Sequence, residues 1–319
     1  MNVFIFGWYG QNNLGDEIFK ESFYYLFPNA DLTFGNVIPP TINSYDALWI
    51  GGGSFLDQPI DHIDSVNIPI YFIGVGINPV IPDCNKRALL RAKLIVCRDG
   101  KSFELSINKK NTCLASDLVF ARDIQPLQEE KEDQITVILN DFLTPVGGTV
   151  PDWRSLSYYW FLQEFSKIMD RYALQGYKIK LIPMCVNPRF DDRRIAAAVQ
   201  GRSVCPHKYD WVLSPVSELE LRTEISKSAF VITQRFHGLV YSIIEQTHCL
   251  TICTHDKFNS LIKDLNISGL DYYGLTDVKF RESLGRVTNI PFEFGSYRES
   301  AKILWESIRD KIIFNENKI

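Results

Sequence analysis

An alternation limits the fold more than any other feature of this sequence. Short apolar runs take turns with segments of helical spacing along most of the 319 residues. "NVFIF" (2–6) passes through a glycine-rich turn to a helical pattern over 14–27. "ALWI" (47–50) and "PIYFIGVG" (69–76) come next, then a helix over 85–92 and "KLIVCRD" (93–99). Apolar runs bounded by glycine and followed by helices predict βα units in a parallel sheet. The stretch "ARDIQPLQEEKEDQ" (121–134) interrupts the pattern. It is charged, carries a proline and has no clear period, as expected of an interdomain linker.

A second series follows. "ITVIL" (135–139) precedes a long amphipathic helix over 152–173, then come "KIKLIPM" (178–184) and helices over 192–200 and 217–228. "FVIT" (230–233) leads into another helix, and "LTICT" (250–254) into a helix over 258–265. An amphipathic helix over 297–313 ends the pattern. The expectation is an α/β protein with two Rossmann-like domains facing a cleft, over 1–125 and 134–296, and a C-terminal helical segment over 297–319.

The composition narrows the partners. With 45% apolar and 23% charged residues the chain has an ordinary globular balance, and its length suits two domains. A net charge of −4 and a pI near 5.8 give no bulk affinity for nucleic acid, so any anion site must be local. No apolar run approaches the roughly 18 residues of a membrane span, and "MNVFIFGWYG" lacks the basic leader of a signal peptide. Seven cysteines in mostly apolar stretches, with no metal-ligand spacing, predict reduced core thiols, a cytoplasmic protein and no metal site. The many aromatics (21 Phe, 14 Tyr, 6 Trp) permit a peripheral membrane contact.

Four strand ends carry unusual chemistry, and open α/β sheets bind ligands at the carboxyl ends of their strands. In "GWYGQNNLGDE" (7–17) the glycine spacing is not that of a dinucleotide fold; Asn13 precedes the helix, and Asp16 and Glu17 fall in its first turn. Helix capping and complementarity to the helix dipole account for these acids more simply than chemistry does. In "GGGSFLD" (51–57), Gly52, Gly53 and Ser54 suit either an anion or sugar lying close to the backbone, or a tight crossing of chain segments. Arg98 and Asp99 end a strand and face either a ligand or each other. The fourth end is "TQRFHGLVYSIIEQ" (233–246). Here Thr233 is the expected cap, with Arg235, Phe236, His237 and Gly238 at the start of the helix. A helix N-terminus with an arginine clamps phosphate or carboxylate, and a bound anion favours protonation of His237, making it a candidate acid. Lys257 follows the next strand end and adds a second cation.

Together these motifs resemble the polysaccharide pyruvyl transferase family. The matching pieces are "GWYGQNNLGDE", "GGGSFLD", "GVGINP", "CRD", "SDLVF", "TQRFHGLVYSI" and "THDKFNSLIKDLNI", in the family's order. One departure is "GQNN" (10–13), where a glycine is common before the asparagine. The resemblance implies a GT-B-like fold, with the C-terminal helix returning to the first domain. It also implies transfer of pyruvate from phosphoenolpyruvate onto two sugar hydroxyls as a cyclic ketal, with release of phosphate. By position, Arg235 and His237 match the phosphoenolpyruvate site, Lys257 the catalytic-site lysine, and Arg98 an arginine of the first domain. The first-domain loops would meet the acceptor, a glycan or lipid-linked oligosaccharide of exopolysaccharide or capsule synthesis. No cofactor is implied beyond the donor, and a lipid-linked acceptor would place the protein at the inner face of the cytoplasmic membrane. Two other readings use the same residues: a GT-B glycosyltransferase taking a nucleotide sugar, with Glu245 nominated for the ribose, and a non-catalytic glycan-binding module.

Overall fold

The opening apolar run forms strand β1 (Asn2–Phe6), and helix α1 (Leu14–Leu26) follows it. Asn13 caps α1 by accepting the Gly15 N–H, and Ile18, Phe19, Phe23 and Leu26 turn inward. Burying each phenylalanine of that stripe contributes about 2–3 kcal/mol. A computed structural model describes residues 1–54, 56–141, 153–212, 216–253, 261–263, 265, 269–271, 275–288 and 294–316. The chain forms two units: unit 1 is Met1–Ile124 with Gly295–Ile319, and unit 2 is Gln125–Phe294.

Unit 1 is built on a parallel sheet of β1, β2 (Asp31–Gly35), β3 (Ala47–Gly53), β4 (Ile70–Val75), β5 (Leu94–Cys97) and β6 (Thr112–Leu114), in the order β2-β1-β3-β4-β5-β6. Helices α2 (Asp83–Arg91) and α3 (Gly100–Leu105) follow β4 and β5. β3 runs beyond Ile50 into its glycines, which stay in register with β4 as far as Gly53 opposite Val75. The edge strands β2 and β6 are short and partly exposed, so they lack the apolar signature of the inner strands.

In unit 2, β7 (Glu132–Ile138) leads to α4 (Trp153–Leu174), β8 (Lys178–Leu181), the antiparallel ribbon β9 (Val186–Asn187) and β10 (Phe190–Asp191), and α5 (Asp192–Gln200). β11 (Tyr209–Trp211), α6 (Glu218–Lys227), β12 (Ser228–Thr233), α7 (Phe236–Ile244), β13 (Cys249–Cys253), β14 (Gly269–Asp271) and α8 (Asp277–Thr288) complete it. Its parallel sheet has the order β11-β8-β7-β12-β13-β14. Under it lies a core of Phe161, Phe165, Ile179, Leu181, Phe230 and Ile232, with the first two rings stacked at 5.2 Å.

The last helix, α9 (Gly295–Glu316), belongs to unit 1. It buries Trp305, Ile308 and Ile312, sets Tyr297 edge-on to Phe120 at 5.4 Å, and directs Arg298 to the Ile124 carbonyl. The C-terminal helix therefore packs on the first unit. No helix among the described residues is long and apolar enough to cross a membrane. Cys84, Cys97, Cys113, Cys185, Cys205 and Cys249 are free thiols; burial pushes the Cys97 and Cys249 thiols up to about 12.

Candidate active site

In an open parallel sheet, ligands sit outside the carboxyl ends of the strands where the strand order reverses. In unit 2 the chain leaves the central β7 for β8 and β11, then returns to β12 on the other side of β7. The reversal lies between β7 and β12, and the residues just past those strands are Asn140 and Asp141 on one side and Gln234 and Arg235 on the other. The Asn140 N–H donates to Gln234 Oε1 at 3.0 Å and links the two sides.

Arg235 occupies the N-cap position of α7 and provides no side-chain cap. Thr233 does not cap the helix, as its sequence position suggested. Its hydroxyl accepts the Arg235 N–H at 3.0 Å and donates to the Arg235 carbonyl at 2.8 Å, which fixes the backbone from which the guanidinium projects. That guanidinium grips buried Asp192: Nε donates to Oδ2 at 3.0 Å and Nη2 to Oδ1. Asp192 also accepts the N–H groups of Asp141 (3.1 Å), Met184 (3.2 Å) and Cys185 (2.9 Å). Burial pushes the Asp192 carboxyl above its ordinary range, and the Arg235 charge opposes that rise. A second ion pair, Arg194 with Asp141 at 2.7 Å, stands beside the first.

His237 is buried in the first turn of α7, its ring edge-on to Phe236 with centroids 5.7 Å apart. Gly238 is required by packing, because a Cβ there would overlap the Thr233 side chain and crowd Ile138. The helix N-terminus is thus pressed onto the ends of β7 and β12, with its positive dipole end beside Arg235. Lys257 lies outside the described residues. Glu245 closes the far end of α7, nine residues or about 13 Å along the helix. There it pairs with Arg222 at 2.5 Å and accepts the Leu127 N–H at 2.6 Å, a structural engagement in place of the ribose contact nominated from sequence.

In unit 1 the order reverses between β1 and β3, whose ends are the two glycine loops. Asn12 has φ +52°, a left-handed conformation that glycine adopts freely and asparagine tolerates, so its place before Asn13 keeps the loop shape. Asn13 donates to Asp16 at 2.5 Å, and Glu17 accepts the Gly10 N–H at 2.5 Å and pairs with Lys20 at 2.5 Å. These bonds organise the start of α1. Tyr9, buried beneath them, donates to the Gly51 carbonyl at 3.0 Å and so joins the two loops. Gly52 has φ +71° and Gly53 φ +103°; a Cβ on Gly51 would overlap Phe23, and one on Gly52 would overlap Phe19.

Arg98 and Asp99 engage different partners. Arg98 donates to Ser54 at 2.5 Å and lies 3.9 Å from Asp117, while Asp99 caps α3 by accepting the Ser102 N–H at 2.7 Å. The partner Asp117 comes from "SDLVF". Sequence reasoning passed over Asn140, Asp141, Asp192, Arg194 and Gln234. "VILND" ends a strand on a carboxylate, the same signal that flagged Arg98, and "DDRR" sets two acids and two bases at a helix start.

The two parallel-sheet units make this a protein of GT-B-like fold. The chain belongs to the polysaccharide pyruvyl transferase family: the family model, Polysaccharide pyruvyl transferase, matches residues 11–256. It is an enzyme of polysaccharide pyruvyl transfer. Among solved structures the fold is similar to S. aureus MnaA, determined as a co-structure with UDP, at TM-score 0.60 and 11% identity over 100% of this chain and 97% of that one. It is also similar to the glycotransferase of kitacinnamycin, at TM-score 0.60 and 10% identity over 99% and 98% of the two chains. A third similar structure is the Methanocaldococcus jannaschii UDP-GlcNAc 2-epimerase in complex with UDP-GlcNAc and UDP, at TM-score 0.58 and 9% identity over 98% and 100%. No curated protein matches by sequence.

Proposed function

We propose that the enzyme transfers pyruvate from phosphoenolpyruvate to two hydroxyls of one sugar, in a surface polysaccharide or its lipid-linked precursor. The product is a cyclic ketal, and phosphate is released. The observation that supports this most is the meeting of Arg235, His237 and the N-terminus of α7 at the strand reversal of unit 2. Phosphoenolpyruvate carries about three negative charges, and a helix N-terminus with a bidentate arginine suits such an anion. Lys257, matched through the family motif, adds a further cation.

In this reading His237 donates a proton to the methylene carbon of the donor, which makes C2 electrophilic. The first sugar hydroxyl attacks C2 and gives up its proton. The phosphate then leaves with the C2–O electron pair, stabilised by the cationic groups, and the second hydroxyl closes the ketal and loses its own proton. Of the two acids in the first loop, Asp16, held by the Asn13 amide, is the candidate base, and Glu17, engaged by Gly10 and Lys20, is assigned to acceptor binding. Asn13, Gly52, Gly53 and Ser54 are assigned to the acceptor, and Arg98 supports that loop through Ser54. A lipid-linked acceptor would hold the enzyme at the inner face of the cytoplasmic membrane as a peripheral protein.

The test is phosphate release from phosphoenolpyruvate in the presence of a panel of lipid-linked sugars. Acceptor-dependent release supports the reading. Turnover of UDP-sugars with none of phosphoenolpyruvate would replace it with nucleotide-sugar transfer.

A further inference from the structure

We infer that Asp192 is a positioning residue for the donor site, acting through Arg235; the inference rests on the phosphoenolpyruvate reading. Asp192 is the first residue of α5, and its carboxylate takes five donors from three loops. Asp141 follows β7, Met184 and Cys185 follow β8, and Arg235 follows β12. One buried side chain therefore ties together the carboxyl ends of three neighbouring strands.

The geometry separates this role from a general structural one. Each carboxylate oxygen receives at least one backbone N–H and one guanidinium N–H. The backbone bonds fix the carboxylate, and the fixed carboxylate orients the planar guanidinium through Nε and Nη2. Arg235 thereby reaches its ligand-binding orientation before any ligand arrives. An asparagine at position 192 would turn an amide N–H toward donors on one side of the carboxylate, and that side of the network would open. The guanidinium would lose its fixed plane, and displacement of a positioning group by about 1 Å costs on the order of 100-fold in rate.

The test is a double-mutant cycle on kcat/KM for phosphoenolpyruvate, using Asp192→Asn, Arg235→Gln and both together. Asp192→Asn is expected to lower donor kcat/KM by about 100-fold and leave the acceptor KM unchanged. In the Arg235→Gln background it should add less than about threefold, because its route to the donor is already gone. An equal loss in both backgrounds would overturn the inference, as would wild-type donor kinetics in folded Asp192→Asn. If Asp192→Asn does not fold, Asp192→Glu takes its place in the cycle. Glutamate keeps the charge and moves the carboxylate by one methylene, so donor kcat/KM should fall at least about tenfold in the wild-type background and less than about threefold with Arg235→Gln, and equal losses would overturn the claim. If the wild-type enzyme does not consume phosphoenolpyruvate, the functional reading fails on its own, and the cycle is read in thermal stability. Non-additive shifts then support the coupling of Asp192 to Arg235, and additive shifts overturn it.

Discussion

Arg98 in unit 1 and Arg235 in unit 2 both follow a strand at the carboxyl edge of a parallel sheet, yet their surroundings differ. The Arg98 side chain is 3% exposed, lies 3.9 Å from Asp117 and holds Ser54. The Arg235 side chain is 17% exposed, and a carboxylate held by backbone N–H groups fixes its plane. The first arrangement anchors a loop, and the second holds a guanidinium in a fixed plane. The neighbouring glycines follow the same division. Those of unit 1 make room for Phe19 and Phe23 of α1, whereas Gly238 of unit 2 lets a helix N-terminus close onto the site.

The largest effect that sharpens this contrast is expected at α7. Arg235→Gln and His237→Ala should each lower kcat/KM for phosphoenolpyruvate by about 1,000-fold, and Arg235→Gln should also cost about 3 kcal/mol of stability because it leaves Asp192 buried without its cation. Arg98→Met should share the loss of stability and spare the donor kinetics. It leaves Asp117 buried without its cation and should cost about 3 kcal/mol of stability in denaturant titration, with donor KM unchanged in the folded fraction. A donor defect in Arg98→Met as deep as that of Arg235→Gln would break the comparison. Gly52→Ala should cost about 2 kcal/mol, since the new methyl group meets Phe19 at a left-handed position.

The smallest effect is pH-dependent. The hydrogen bond from Arg193 holds the Asp191 carboxyl below its ordinary value of 3.8. A depressed pKa contributes stability above that ordinary value, and the contribution is lost as pH falls through the lower folded one. Asp191→Asn should therefore lower stability by a few tenths of a kcal/mol near neutral pH, and the difference should vanish under strongly acid conditions. A difference that grows on acidification would reverse the assignment.

Legibility followed the strength of the local pattern. The inner strands and α1 are visible because uniform apolar runs and a capped amphipathic stripe leave few alternatives. The edge strands β2 and β6 are not, since "DLTFG" and "TCL" carry no two-sided apolar signal and are defined by their pairing with β1 and β5. Arg235 and His237 stood out as charged side chains at a strand–helix turn. Asp192 did not, although it touches Arg235, because the contact spans 43 residues and no local pattern encodes it. The same distance effect hid the Arg98–Asp117 pair, although both motifs had been noted separately.

The most direct test of the account is the mass of the acceptor after incubation with enzyme and phosphoenolpyruvate. The account predicts a gain of one pyruvyl ketal on a lipid-linked or polymeric sugar, one phosphate released per ketal, and neither with Arg235→Gln. Acceptors left unchanged by phosphoenolpyruvate but extended by a sugar from a UDP-sugar would contradict it.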